Sequence, residues 1–157
     1  MTKNEQWMQL ALREAQKAFD EEEIPVGAIV VHEERIIGRG YNQIERLQDP
    51  TAHAEMIAIT AATNHLKSRR LSDCTLYVTL EPCPMCAGAV VQARISTLVF
   101  GAFDPKTGAC GTLFNIVQDR RLNHQPHVIS GVCDKESEEI LKRFFGRVRV
   151  IPKKGGK

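Results

Sequence analysis

The sequence predicts an α/β domain in which a mixed sheet of about five strands carries helices on both faces. Five short segments rich in β-branched and apolar residues are separated by stretches whose apolar residues recur at helical spacing. The first two strand segments are separated only by a short polar turn, which predicts an antiparallel hairpin. The later strands alternate with helices, as in parallel sheets, so we expect both kinds of strand pairing.

Each element is predicted from a local pattern. Thr2 and Glu5 match a capping box ahead of an amphipathic helix that should end near residue 20. Asp49, Pro50 and Thr51 are helix-start residues, and they precede a predicted helix over residues 52–66. The other predicted helices cover residues 84–93, 113–117 and 135–145, and the predicted strands cover residues 26–31, 36–41, 75–79, 96–101 and 127–132.

The composition is that of an ordinary globular protein. Of the 157 residues, 43% are apolar and 25% are charged, and no apolar run reaches the roughly 18 residues of a membrane span. The polar N-terminal residues do not resemble a secretory signal peptide, and the cysteine count of five is odd. We therefore expect one cytoplasmic domain over residues 1–157, with reduced thiols and no membrane contact.

The charge distribution is uneven along the chain. Seven of the 21 Lys and Arg residues follow Glu139, the last acidic residue, whereas the preceding part carries 14 basic and 19 acidic residues. A basic C-terminal end is suited to an anionic partner. Charge alone favours a solvated tail, and residues 152–157 are expected to fray.

Two short fragments carry the residue types of a metal site. His53-Ala54-Glu55 opens one predicted helix, and Pro82-Cys83-Pro84-Met85-Cys86 opens the next. Cysteines three positions apart in a first helical turn can face one point, and a helix N-terminus favours their thiolate forms. With His53 as a third ligand, Cys83 and Cys86 would bind Zn²⁺ and leave one tetrahedral position open for water.

Glu55 favours a catalytic zinc site over a structural one. Its side chain points away from that of His53 in a helical turn, so it can exchange a proton with the metal-bound water instead of ligating the metal. A closed structural site would need a fourth ligand. The candidates are Cys74, Cys110, Cys133, His65, His124 and His127, none of which lies in a second paired motif.

The H-x-E fragment followed by P-C-x-x-C matches the signature of zinc nucleobase deaminases. Further runs extend the match over roughly residues 5–150. They are Pro25-Val26-Gly27-Ala28, Asp49 through Glu55, Leu76 through Ala89, Phe100-Gly101-Ala102 and Lys106-Thr107-Gly108-Ala109. Taken together, these runs resemble the bacterial tRNA-specific adenosine deaminase family.

The resemblance implies a cytidine-deaminase-like, three-layer α/β/α fold in a single zinc-dependent deaminase domain. It also implies hydrolysis of adenosine to inosine at the wobble position of a tRNA anticodon stem-loop, by a homodimer with one Zn²⁺ per subunit. Glu55 would be the catalytic residue, carrying a proton from water to N1 of adenine and assisting the departure of ammonia.

The resemblance also assigns contacts with the RNA. Val26 would pack on the extruded base, and the side chain of Asn42 and the backbone N–H of Ala54 would hydrogen-bond it. The resemblance also places Asp104 and Lys106 beside the pocket, in contact with the sugar or phosphates of the anticodon loop. Independently of the resemblance, the residue types near the C-terminal end indicate contacts from Phe144, Phe145, Arg147 and Arg149. Aromatic rings can stack on splayed bases and arginines can bind phosphate, although we expect one of the two phenylalanines to be a core residue.

Two other functions remain open from the residues alone. The same zinc chemistry could act on free guanine, on cytosine, on a deoxycytidylate or on a riboflavin-pathway pyrimidine. The protein could instead be a non-catalytic RNA-binding module with a structural zinc. The basic C-terminal end argues against the first alternative, and Glu55 argues against the second.

Overall fold

The structure is a computed structural model that describes residues 1–150, with side chains described as far as Arg147. The predicted RNA contact of the Arg149 side chain and the predicted fraying of residues 152–157 lie outside the described part. In chain order the elements are α1 (Lys3–Asp20), β1 (Gly27–His32), β2 (Arg35–Tyr41), α2 (Ile44–Leu47), α3 (Ala54–Leu66), β3 (Thr75–Leu80), α4 (Pro84–Gln92), β4 (Thr97–Ala102), a 3-10 helix (Ile116–Gln118), β5 (His127–Ile129) and α5 (Asp134–Val150).

The five strands form one mixed sheet in the order β2-β1-β3-β4-β5. Strand β1 is antiparallel to both of its neighbours, whereas β3, β4 and β5 run parallel to one another. The predicted hairpin and the predicted mixture of pairings are therefore confirmed.

Alternate residues of the strands face two separate helix layers. Ile29 and Val31 of β1 join a core cluster with Met8 of α1, and α5 packs on the same face over β4. Ala28 and Val30 point to the other face, in the cluster that includes residues of α3 and α4. This strand periodicity of two gives the three-layer α/β/α arrangement.

A glycine sets the distance between β2 and α3. A Cβ on Gly40 would lie only 2.2 Å from the carbonyl oxygen of Ala54, so only glycine fits without displacing the helix backbone. The N-terminal turn of α3, which follows His53, is therefore held directly against the sheet.

Several predicted boundaries differ from the structure. The polar loop after residue 41 contains α2, whose Glu45 and Arg46 N–H groups donate to the buried Glu23, a long-range contact that no local pattern reveals. The short helix is the 3-10 turn at Ile116–Gln118 rather than residues 113–117. Strand β5 ends at Ile129, before Gly131 with its positive φ of 77°.

The capping box of α1 is confirmed, since the side chains of Thr2 and Glu5 each accept a hydrogen bond from the other's backbone N–H group. No helix in the described part is long and apolar enough to cross a membrane.

Candidate metal centre and active-site cavity

Two helix N-termini bring the predicted metal ligands together. His53 is the N-cap residue of α3 and Cys83 is the N-cap residue of α4, while Cys86 lies in the first turn of α4. Pro84 occupies the first position of α4, where its fixed φ suits the helix and its missing N–H costs nothing. Neither N-cap side chain bonds the backbone of its own helix, so both stay available as ligands.

The three side chains have the spacing of a tetrahedral metal site. Nδ1 of His53 lies 3.6 Å from Sγ of Cys83 and 3.6 Å from Sγ of Cys86. Ligands bound to zinc at ordinary lengths and tetrahedral angles lie about 3.6 Å apart, so the donor set fits this metal. None of the six alternative ligands belongs to this group, the one such cluster within residues 1–147. A metal bound here would keep an open coordination position.

The thiols at this site differ strongly in acidity. A hydrogen bond from the Cys86 thiol, with a further one to His53, lowers the pKa of Cys83 to about 4. The same bond and burial raise the pKa of Cys86, which acts as the donor. Hydrogen bonding to Cys83 raises the pKa of His53. Cys83 is thus the more acidic of the two thiols, and a bound cation would favour the deprotonation of Cys86 as well.

Glu55 lies in the first turn of α3, two residues after His53, and is only 4% exposed. Burial raises the pKa of its carboxyl group to about 7, while the neighbouring His53 opposes the shift. A group with this pKa can both accept and release a proton near neutral pH. Glu55, His53 and Cys83 all line the same cavity.

The cavity has a volume of about 640 Å³ and brings five of the predicted RNA-contacting residues together. These residues are Val26, Asn42, Asp104, Lys106 and Phe145. The remaining wall is largely apolar and comes from distant parts of the chain. It includes Ile24, Ile44, Leu80, Phe103 and Leu141.

The two predicted hydrogen-bonding partners of the base are bonded to each other. The backbone N–H of Ala54 donates to Oδ1 of Asn42 at 2.9 Å, and Nδ2 of Asn42 donates to the carbonyl oxygen of Ile24 at 3.1 Å. Asn42 keeps one amide hydrogen uncommitted in the described contacts. Ala54 itself is fully buried and does not line the cavity.

The two C-terminal phenylalanines occupy different environments. Phe144 is 9% exposed and packs edge-on against Phe19 of α1, with 6.1 Å between ring centroids. Phe145 is 44% exposed and lines the cavity. Arg147 lies outside the cavity, over the ring of Phe19 and 3.8 Å from the carboxylate of Glu22. The structure therefore brings Phe145, and not Phe144, to the site, and one of the pair is indeed a core residue.

Sequence reasoning missed the residues that support the cavity walls. Glu81 is buried next to the Pro82-Cys83 fragment and accepts hydrogen bonds from the loop that carries Asp104. A glutamate at the end of an apolar strand, directly before a metal-ligand motif, was a usable signal. Phe103 and Leu141 had no such signal, because their place at the cavity depends on how β4 and α5 pack.

The fold and the His-Cys-Cys site define a nucleobase-type deaminase of the cytidine-deaminase-like class. The MafB19-like deaminase family model matches residues 2–149. The tRNA-specific adenosine deaminase of Bacillus subtilis (strain 168) is 50% identical over 149 residues, which cover 95% of this chain and 92% of that protein. The protein of the same name from Aquifex aeolicus (strain VF5) is 46% identical over 145 residues, covering 92% and 95%.

Solved structures of deaminases also resemble this chain. A structure from studies of A-to-I editing by tRNA:A34 deaminases at the wobble position of transfer RNA matches with a TM-score of 0.84 at 45% identity, covering 87% of this chain and 99% of that chain. A guanine deaminase from Nitrosomonas europaea matches with a TM-score of 0.80 at 22% identity, covering 93% and 86%, a likeness in fold alone. The chain belongs to the MafB19-like deaminases and, among them, to the tRNA-specific adenosine deaminase family.

Proposed function

We propose that this protein hydrolyses the exocyclic amino group of adenosine at the wobble position of a tRNA anticodon, giving inosine and ammonia. The observation that carries the proposal is the cavity in which Glu55 lies beside the His53, Cys83 and Cys86 donor set. The 50% identity to a tRNA-specific adenosine deaminase supports this substrate.

Zinc is the metal that this donor set favours. Two thiolates and an imidazole at tetrahedral spacing select it over magnesium or calcium, which prefer oxygen ligands. We infer one zinc ion per chain, held by His53, Cys83 and Cys86. When bound, it would supply a Lewis acid that makes a water molecule acidic near neutral pH.

Glu55 moves the protons of the reaction. Its carboxylate accepts a proton from the attacking water and delivers it to N1 of adenine as the new C6–O bond forms. It then carries the second water proton to the amino nitrogen, which leaves C6 as ammonia. Water and adenosine are thereby converted into inosine and ammonia with no other reactant. A pKa of about 7 suits a group that must be deprotonated at the start and protonated midway.

The cavity gives the base its position. Val26 and Leu80 offer apolar surface to a purine ring, and the uncommitted amide hydrogen of Asn42 can bond an acceptor on the ring. The backbone N–H of Ala54 reaches the base only where Asn42 releases it. A nucleotide in a single-stranded anticodon loop can enter such a pocket with little unstacking.

The outer walls are suited to the rest of the loop. The Lys106 ammonium is exposed at the cavity edge and can pair with a phosphate, and the half-exposed ring of Phe145 can stack on a neighbouring base. Arg147 lies on the same helix as Phe145, and Arg149 follows two residues later. Asp104 uses its carboxylate within its own turn, accepting from the N–H groups of Lys106 and Thr107, and thereby fixes where Lys106 stands.

We further propose that the protein acts as a homodimer in the cytoplasm. Leu47, Leu113 and Phe114 are large apolar side chains that are more than half exposed, and contact with a second copy would bury side chains of this kind. The cysteines are all free thiols, which fits a reducing compartment. Light scattering coupled to size exclusion tests the dimer directly.

A substrate comparison tests the activity. The zinc-loaded protein is incubated with an anticodon stem-loop carrying adenosine at the wobble position, and separately with free adenosine, guanine and cytosine. We expect inosine in the RNA alone, detected by mass spectrometry of the nucleosides. Turnover of a free base with inert RNA would move the protein to nucleobase metabolism. Binding of RNA without any turnover would support a structural zinc module instead.

A further inference from the structure

A buried carboxylate next to the metal centre holds one wall of the cavity. Glu81 follows the last residue of β3 and is 2% exposed. Its Oε1 accepts from the backbone N–H of Asp104 at 3.0 Å and from the hydroxyl of Thr112. Its Oε2 accepts from the backbone N–H groups of Cys110 at 3.0 Å and Thr112 at 3.1 Å. One side chain thus bonds three separated points of the loop between β4 and the 3-10 helix.

The contacts of Glu81 are with backbone and hydroxyl groups, and none of the ion pairs formed by residues 1–147 includes it. A carboxylate buried without a cation is stabilised only by its hydrogen-bond donors, which makes each of those bonds strong and directional. Glu81 therefore fixes the position of the loop instead of serving as half of a salt bridge.

The loop is shaped around this carboxylate. A Cβ on Gly108 would lie 2.4 Å from Oε1 of Glu81, so the loop backbone approaches the carboxylate as closely as a glycine allows. The backbone N–H of Glu81 donates to Ala102, and that of Ala109 donates to Pro82, which anchors the loop on both sides of the carboxylate. The same loop carries Asp104 and Lys106 to the cavity edge.

We propose that Glu81 is a positioning residue that sets the loop of residues 103–112 for binding the RNA substrate. It acts through the backbone of Asp104 and thereby places Lys106, while the metal ligands two and five residues further on remain independent of it. This inference rests on the proposed function, because the loop matters only for a substrate that extends beyond the base.

Glu81→Gln tests this role with almost no change in volume. The amide NH2 must replace one of the two oxygens. In the place of Oε2 the NH2 would face the backbone N–H groups of Cys110 and Thr112, and two donors would then oppose it. In the place of Oε1 it would face the N–H of Asp104 and the Thr112 hydroxyl, and this hydroxyl can turn and accept a hydrogen bond. The second orientation is preferred, so the variant loses chiefly the bond to Asp104.

The experiment measures kcat and KM for deamination of the wobble-adenosine stem-loop by the zinc-loaded wild-type and Glu81→Gln proteins. We expect KM to rise about tenfold, the size of one lost charge-assisted hydrogen bond, and kcat to fall less than about threefold. Zinc content per chain should not change. Glu14→Gln is the control, because it also removes a buried carboxylate, one that is paired with Lys17 on α1 and lies outside the cavity.

A double-mutant cycle shows whether Glu81 acts through the loop. With Asp104→Ala the turn that orients Lys106 is already lost, so adding Glu81→Gln should raise KM by less than about twofold. Fully additive effects on KM would overturn the proposal. It would also be overturned by an unchanged KM in Glu81→Gln, or by a fall in kcat with KM unaltered.

Thr112 provides a second variant in case Glu81→Gln does not fold. Thr112→Val removes the hydroxyl that bonds Glu81 but keeps the backbone bond, and Thr112→Ser retains both. We expect a two- to threefold rise in KM for the valine variant and none for the serine variant. Equal KM values for the two would contradict the proposal. An inactive wild-type protein would instead refute the proposed function, which separates the two failures.

Discussion

The floor of the cavity and its walls are built in different ways. The floor consists of His53, Cys83 and Glu55, and the buried Cys86 completes the metal donor set. All four residues lie within two short fragments at helix N-termini. The walls draw residues from five places, from the loop before β1 to α5, and depend on buried carboxylates that bond distant backbone N–H groups. The residues of the proposed chemistry are thus encoded locally, whereas the proposed recognition surface exists only in the folded chain.

Metal removal should have the largest effect on the floor. Chelation is expected to abolish deamination and to free the Cys83 thiolate, whose pKa of about 4 leaves it nucleophilic even at pH 6. Cys74, fully buried with a pKa raised by burial to about 11, should stay unmodified. Peptide mass spectrometry after iodoacetamide treatment identifies the alkylated site, and reloading with zinc should protect it. Alkylation of Cys83 at equal rates with and without zinc would argue against metal binding there.

Glu55→Gln should have the next largest effect. The amide cannot carry a proton, so we expect kcat to fall by about 10²–10⁴-fold. Zinc content and RNA affinity should be retained, because Glu55 is neither a predicted ligand nor a wall residue. Single-turnover kinetics and a filter-binding assay measure the two properties separately. A variant with wild-type turnover would remove Glu55 from the mechanism.

The contribution of the cavity walls to RNA affinity should depend on salt concentration. If Lys106 pairs with a phosphate, Lys106→Ala should weaken stem-loop binding and reduce the slope of log affinity against log salt by about 0.7. Lys67, which is exposed at the end of α3 and outside the cavity, gives the control substitution. Identical slopes for wild-type and Lys106→Ala protein would show that this wall does not contact phosphate.

Phe144 and Phe145 should differ in how much their removal lowers the free energy of unfolding. Phe144→Ala removes a buried ring from the packing of α5 on α1 and should cost about 3 kcal/mol of the free energy of unfolding. Phe145→Ala removes a half-exposed ring and should cost less than about 1 kcal/mol, with its main effect a modest rise in KM for RNA. Denaturant titration of both variants measures the difference. Equal losses of stability would mean that Phe145 is also a core residue.

Features that depend on local contacts could be predicted from the sequence, whereas features that depend on contacts between distant residues could not. The metal ligands were predictable because Pro82-Cys83-Pro84-Met85-Cys86 and His53-Ala54-Glu55 carry their geometry within one helical turn each. The sheet was predictable because its strands and helices alternate. The α2 turn could not be predicted, since it depends on Glu23, some twenty residues earlier in the chain.

Side-chain direction was also beyond the sequence. Phe144 and Phe145 are adjacent and chemically identical, so only the packing of α5 decides which one meets the cavity. The hydrogen bond between Ala54 and Asn42 joins the first residue of α3 to a residue of the loop after β2, and no local sequence pattern connects the two. Both features arise from contacts between elements.

The central claim is that the cavity walls recognise the RNA while the residues of the floor carry out the hydrolysis. The most direct test is to measure how editing depends on the position of the adenosine in the loop. The wild-type protein is given stem-loops whose single loop adenosine is moved from the wobble position to each neighbouring position, and the rate of inosine formation is measured for each. We expect rapid conversion at the wobble position and a rate lower by about 10²-fold or more elsewhere, because the walls fix one nucleotide over Glu55. Equal rates at every loop position would contradict this account, since the cavity would then select a base without reading the loop around it.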